Sequence, residues 1–214
     1  MNTVSAGNVM ASRKLHWAQF TAFVLIGVLS VYFYLQYATR YFDWSVESYG
    51  SYYWGKRVAL AFHLAGGTLA LSMGLPQFWM GLRNRFMNVH RWTGRVYVLG
   101  VFVGSIGAFL MATAPEQGLG FGFAFALFAL AVAWVITTGA AFFAVIRRKI
   151  KLHKEWMMRS YIVTLAFVTF RILSDYVPYE SWGLDPADYN TAMMWSCWVF
   201  PLMIAEVILQ FRKL

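Results

Sequence analysis

Charge is scarce in this chain: only 13% of its 214 residues are Asp, Glu, Lys or Arg, and just nine of them are acidic. A water-soluble globule needs more polar surface than that to cover its core, so a soluble domain is excluded. Cysteine is nearly absent too. With Cys197 alone, no intrachain disulfide can form, and its place in an apolar run points to packing. There is no His-Glu-x-x-His or Cys-x-x-Cys spacing, no Gly-x-Ser-x-Gly, no phosphate loop and no dinucleotide fingerprint. Hydrolase and kinase chemistry therefore lack the residues they need.

What fills the chain is hydrocarbon: 60% of residues are apolar and 19% aromatic. A bilayer core of about 30 Å takes about 20 apolar residues per helix, and such runs lie at about 17–38, 57–80, 92–114, 119–146, 156–178 and 190–211. The fold class follows as all-α: residues 1–214 form a single integral membrane domain, a polytopic bundle of six transmembrane helices. Pro76 and Pro201 fall inside the second and sixth, where a missing backbone donor permits kinks.

The few charges are sorted by connection. Residues 13–14, 83–95, 147–159 and 212–213 hold fourteen of the eighteen Lys and Arg, whereas the other connections hold Arg40, Lys56 and Arg57 beside Asp43, Glu47, Glu116, Glu180, Asp185 and Asp188. By the positive-inside rule both termini and the second and fourth connections are cytoplasmic. The net charge of +9 is thus topological, and no nucleic-acid partner is expected. Arg13 and Lys14 precede an apolar run too long for a signal-peptide core, so the first helix is expected to be retained. The longest outer segments, 39–56 and 179–190, are rich in Tyr and Trp, as residues at a membrane–water boundary are.

Polar and small residues fall into stripes. His63, Gly67, Ala70, Gly74 and Gln77 share one face of the second helix; Tyr97, Gly100, Gly104 and Gly107 share one of the third; His153, Met157, Ser160, Thr164, Phe167 and Arg171 share one of the fifth. The glycines suit either close helix packing or a flat cofactor. Helix rise then sorts the ionisable groups by depth. His63 and Arg171 both lie about 9–10 Å below the outer boundary. Such an arginine should face the interior beside a counter-charge, and Asp175 is one turn away. At the cytoplasmic boundary, His16, His90 and His153 open three helices, with Gln77 and Glu206 about one turn deeper.

The cytoplasmic set can hold several ligands. His90 and His153 can serve as axial ligands of haem b, with Arg91, Arg95 and Arg159 near its propionates. Gln77 and the histidines can instead donate to quinone carbonyls while Trp92 or Trp156 stacks on the ring. A site of His90 and His153 with His16 and Glu206 would suit a divalent metal by ligand type. The outer set, His63, Arg171 and Asp175, suits transport or proton relay.

The order of motifs FHLAGGTLALSMGLPQF (62–78), HRWTGRVY (90–97) and HKEWMMRSY (153–161) resembles a family of uncharacterised bacterial polytopic membrane proteins, domain of unknown function 2306, over roughly residues 57–210. The residues matching its motifs are His63, Gln77, His90, Arg91, Trp92, Gly94, Arg95, His153, Trp156, Met157, Arg159 and Arg171; His16 is not among them. The resemblance implies a six-helix bundle in a bacterial inner membrane and no settled activity. A looser architectural likeness is to b561-type cytochromes and ferric reductases. The function expected first is electron transfer through a haem b or quinone site near the cytoplasmic face, with a quinone or redox protein as partner. The alternatives are a transporter or proton relay, and an accessory subunit of a larger membrane complex or homo-oligomer.

Overall fold

The computed structural model describes residues 6–113, 120–211 and 213, and for residues 6–16, 18, 19, 52, 179 and 180 the backbone only. The elements are α1 (Ala6–Phe33), which runs on through a π turn (Tyr34–Ala38) and a 3-10 turn (Thr39–Asp43), then α2 (Val46–Trp54), α3 (Arg57–Arg83), α4 (Met87–Ala112), α5 (Gly120–Ile146), α6 (Ile150–Thr164), α7 (Ala166–Tyr176), a 3-10 turn (Tyr179–Trp182) and α8 (Pro186–Phe211). Among the described residues there is no strand, and six helical stretches are long and apolar enough to cross a membrane. The protein is an all-α polytopic bundle. The start of α1, the end of α8 and the α3–α4 and α5–α6 connections lie at one end, called here the basic end; the connections around α2 and 179–182 lie at the far end.

Two helical hairpins build the basic end, and they turn alike. In the first, Asn84 takes a left-handed conformation (φ 49°) and the Arg85 N–H donates back to Met80 O at 3.2 Å. In the second, Arg148 is left-handed (φ 57°) and the Lys149 N–H donates to Ala144 O at 2.9 Å. Each is a helix stop in which the bond from the residue after the left-handed one satisfies a terminal carbonyl. These tight stops let the following helices begin earlier than hydropathy alone predicts: α4 starts at Met87 and not near 92, and α6 at Ile150 and not near 156. His90 and His153 are each the fourth residue of a helix, already inside it. The fifth span also differs in being broken at Leu165 between α6 and α7 without a proline; around the break the hydroxyls of Thr164 and Thr169 bond back to Ser160 O and Leu165 O at 2.9 and 3.0 Å, a habit that bends helices.

Glycine sets the closest seam. A Cβ on Gly66 would stand 2.2 Å from Gly104 N, and one on Gly107 2.4 Å from Ala59 O, so α3 and α4 touch backbone to backbone. Gly67 and Gly74 instead make room for the rings of Phe167 and Tyr161. The glycine faces are filled by the protein itself and leave no slot for a flat macrocycle there.

At the far end, segment 39–56 does more than anchor. Ser45 caps α2 by accepting from Ser48 N at 3.1 Å, and Tyr41 and Tyr49 are buried, edge to face at 5.0 Å, with the Tyr49 hydroxyl donating to Tyr41 O at 3.2 Å. The segment folds inward as a roof over the bundle.

Candidate ligand sites at the two ends of the bundle

The basic end holds a cavity between the two hairpins. His90 and His153 both line it, along with Gln77, Arg91, Val145 and Met157, and it opens as two connected lobes of about 270 and 320 Å³. The walls are apolar: Phe78, Leu82 and Met87 border one lobe, Val98, Phe142 and Ile146 the other. The exposed mouth carries Arg91, Arg95 and Lys154. Few polar groups on a largely apolar concave surface is the usual make-up of a small-molecule site.

The two imidazoles are held differently. His153 Nδ1 lies 2.9 Å from Ala141 O; a carbonyl only accepts, so Nδ1 carries the hydrogen and Nε2 remains for a ligand, the arrangement that orients metal-binding and hydrogen-bonding histidines. His90 Nδ1 is buried against Gly81 with no hydrogen-bond partner among the described residues. An unsatisfied buried nitrogen costs about 1–3 kcal/mol. The backbone behind His90 is nevertheless pinned, because Gln77 Nε2 reaches across from α3 to donate to His90 O at 2.6 Å and also to Thr93 Oγ1.

The other expected members of this site sit apart. Trp92 is 66% exposed, on the outside of α4, with the Arg95 guanidinium over its ring. Arg159 stacks over Trp156 at 4.8 Å and is taken by Glu206, which accepts from its Nε and Nη2 at 2.9 and 2.6 Å. Glu155 joins this group through Lys213 at 3.1 Å. The network clamps α6 to the end of α8, so Arg159, Trp156 and Glu206 brace the fold and do not line the cavity. Glu206 is thus not brought to the histidines, and His16 lies outside the described side chains. Among the described residues no three His, Cys, Asp or Glu side chains gather as a metal site would need.

The chain matches, over residues 60–209, a family model described as a predicted membrane protein, DUF2306. It belongs to that family. No curated protein and no solved structure matches it. The matched DUF2306 stretch contains every side chain named around the basic-end cavity, whereas Tyr41 and Tyr53 at the far end fall before it.

That far end holds the second, smaller cavity, of about 130 Å³. His63 and Arg171 line it together, as their common depth predicts, under the roof residues Tyr41 and Tyr53. His63 Nδ1 lies 3.0 Å from Gly104 O and the ring stacks on Phe167 at 4.7 Å. Asp175 is exposed, and among the described residues Arg171 makes no ion pair with it or with any other carboxylate. The expected counter-charge is therefore not in place. The guanidinium lies instead over the rings of Tyr37 and Phe170, at 5.8 and 5.7 Å.

Between the cavities runs a buried row of hydroxyls that the stripes hinted at and α5 completes. Tyr97 OH meets Ser160 Oγ at 2.7 Å and Thr164 Oγ1 at 2.8 Å; Thr138 Oγ1 meets Ser160 Oγ at 2.6 Å; Trp134 Nε1 donates to Thr164 Oγ1 at 2.8 Å. The hydrogens can be assigned by elimination. Thr164 gives its hydrogen to Ser160 O, so Tyr97 must donate to Thr164, Ser160 to Tyr97, and Thr138 to Ser160. Trp134 and Thr138 carry little signal in the sequence. Their signal is the Thr137–Thr138 pair and one Trp in an otherwise apolar helix.

Proposed function

We propose that this membrane protein carries electrons, holding a redox-active ring, a quinone or haem b, in the cavity between His90 and His153, on the cytoplasmic face of a bacterial inner membrane. The observation that carries the reading is the pair of imidazoles on one apolar cavity, His153 already fixed through its Nδ1 on Ala141 O. A ligand placed between the two rings would use that orientation. The cationic mouth of Arg91, Arg95 and Lys154 supports a partner with negative or carbonyl oxygens, and the positive-inside pattern supports the cytoplasmic assignment.

Between the two rings, the filled glycine faces favour the smaller quinone head group: His153 Nε2, a lone pair while Nδ1 holds the hydrogen, would accept from a hydroxyl of the reduced quinol, and Phe78 and Met157 would border the ring. Haem b is the second reading, supported by two imidazoles on one cavity and by cations for propionates. When bound, either group supplies the one-electron chemistry that side chains lack; the chain's own part is to orient it and exclude water. Transport or proton relay through His63 and Arg171 has less support, because Asp175 stands off and the hydroxyl row ends on a backbone carbonyl. A homo-oligomer or a larger complex is compatible with the reading and is not required by it.

The absorption spectrum of the purified protein, followed by solvent extraction and chromatography of bound lipids, tests the proposal. An intense Soret band identifies haem, and a co-purifying quinone that is lost in His90→Ala identifies the quinone. Colourless protein from which no quinone is extracted sinks both.

A further inference from the structure

The far-end cavity calls for a ligand of its own, and three features specify its chemistry. The first is charge. Arg171 lies within a membrane-crossing stretch, no carboxylate lines the cavity, and among the described residues the guanidinium has neither an ion pair nor a hydrogen bond. An intramembrane cation held this way is costly, and its donors await an acceptor. One cation matches one negative charge.

The second is the histidine. Because His63 Nδ1 gives its hydrogen to Gly104 O, the neutral ring presents a lone pair at Nε2, so a ligand atom placed there must be a donor. The third is shape. Phe33, Phe123, Phe167 and Phe170 wall a space of about 130 Å³, about four waters' share of liquid volume, which suits a single planar ring better than a chain or a fused system.

We propose that this cavity binds a small aromatic hydroxy-carboxylate, its carboxylate on Arg171 and its hydroxyl donating to His63 Nε2. The site is separate from the one at the basic end and needs nothing bound there.

The test is a calorimetric titration of purified protein, in maltoside detergent free of phosphate and added lipid, with ortho-, meta- and para-hydroxybenzoate, benzoate and the matching hydroxybenzamides. At least one hydroxybenzoate binds with one-to-one saturation. Exchanging its carboxylate for the amide, or Arg171 for Met, weakens binding by about tenfold or more. Benzoate binds less tightly than that isomer to the unaltered protein but equally well to His63→Phe, because the hydroxyl has then lost its acceptor. The ligand-free Arg171→Met protein unfolds about 2–4 °C higher, having shed an uncompensated charge from a membrane-crossing stretch, and this readout also shows that the variant is folded. No saturable binding by any isomer, binding unchanged in Arg171→Met, or a lowered midpoint in that variant would each overturn the proposal.

Discussion

The two ends of the bundle place histidine in cavities of opposite temper. At the basic end two imidazoles face a roomy, two-lobed space whose mouth is ringed with cations, and one ring nitrogen is left without a partner. At the far end a single imidazole shares a small, aromatic-walled space with an uncompensated guanidinium, beneath Tyr41 and Tyr53. The lesson is that in a membrane protein the informative atoms are the unsatisfied ones. Arg159 looked as promising in the sequence as Arg171, yet Glu206 occupies it, whereas Arg171 has only ring faces beside it.

The comparison breaks most completely at the basic-end histidines. His90→Ala and His153→Ala should each abolish the bound redox group, while His63→Ala leaves it at the unaltered level; spectra or extracted quinone per chain measure this. Loss in His63→Ala equal to that in His90→Ala would merge the two sites into one. The naming of the ends is also an all-or-none matter. A cysteine introduced by Asp185→Cys should react with an impermeant maleimide on intact cells, and one introduced by Lys151→Cys only after permeabilisation. Cys197 is buried and contributes little background. Labelling of position 151 from outside would reverse the assignment of both cavities.

The seam that holds the ends together gives smaller effects. Gly66→Ala forces a methyl group into the Gly104 backbone and should cost about 3 kcal/mol or more, whereas Gly139→Ala, with nothing within 4 Å, should be neutral or add about 0.5–1 kcal/mol. Thermal unfolding in detergent separates the two outcomes. Tyr97→Phe removes the hydroxyl that accepts from Ser160 and donates to Thr164, and should cost about 1–3 kcal/mol. It should leave ligand binding at both ends intact. A variant that keeps its stability would show that water fills the row, and one that loses only a single ligand would tie Tyr97 to that site.

Much of this was legible in sequence, for identifiable reasons. Six apolar runs had one low-energy solution in lipid, and the stripe His153, Met157, Ser160, Thr164, Phe167, Arg171 traces the molecule from one cavity through the hydroxyl row to the other, even across the break at Leu165. Depth alone put His63 level with Arg171. Less legible were the helix starts, because left-handed stops at Asn84 and Arg148 are set by local backbone bonds that hydropathy does not register. The partners of Arg159 and Arg171 were hidden as well: Glu155 competes with the distant Glu206, and Asp175, though spaced for a helical pair, turns outward. The inward fold of Tyr41 and Tyr49 was masked by a composition that boundary anchors share.

The hydroxyl row has a bearing on energy conservation. Proton hopping along hydroxyls needs each one to pass its hydrogen forward and then turn, and here every hydrogen from Thr138 to Thr164 already has an acceptor, the last being a backbone carbonyl that cannot take up a proton and hand it on. A chain with hollows facing both sides of a bilayer would otherwise be a leak for the ion gradient that membrane stores. Because the row ends on the Ser160 carbonyl, cavities at both faces are compatible with a membrane that stays tight to protons.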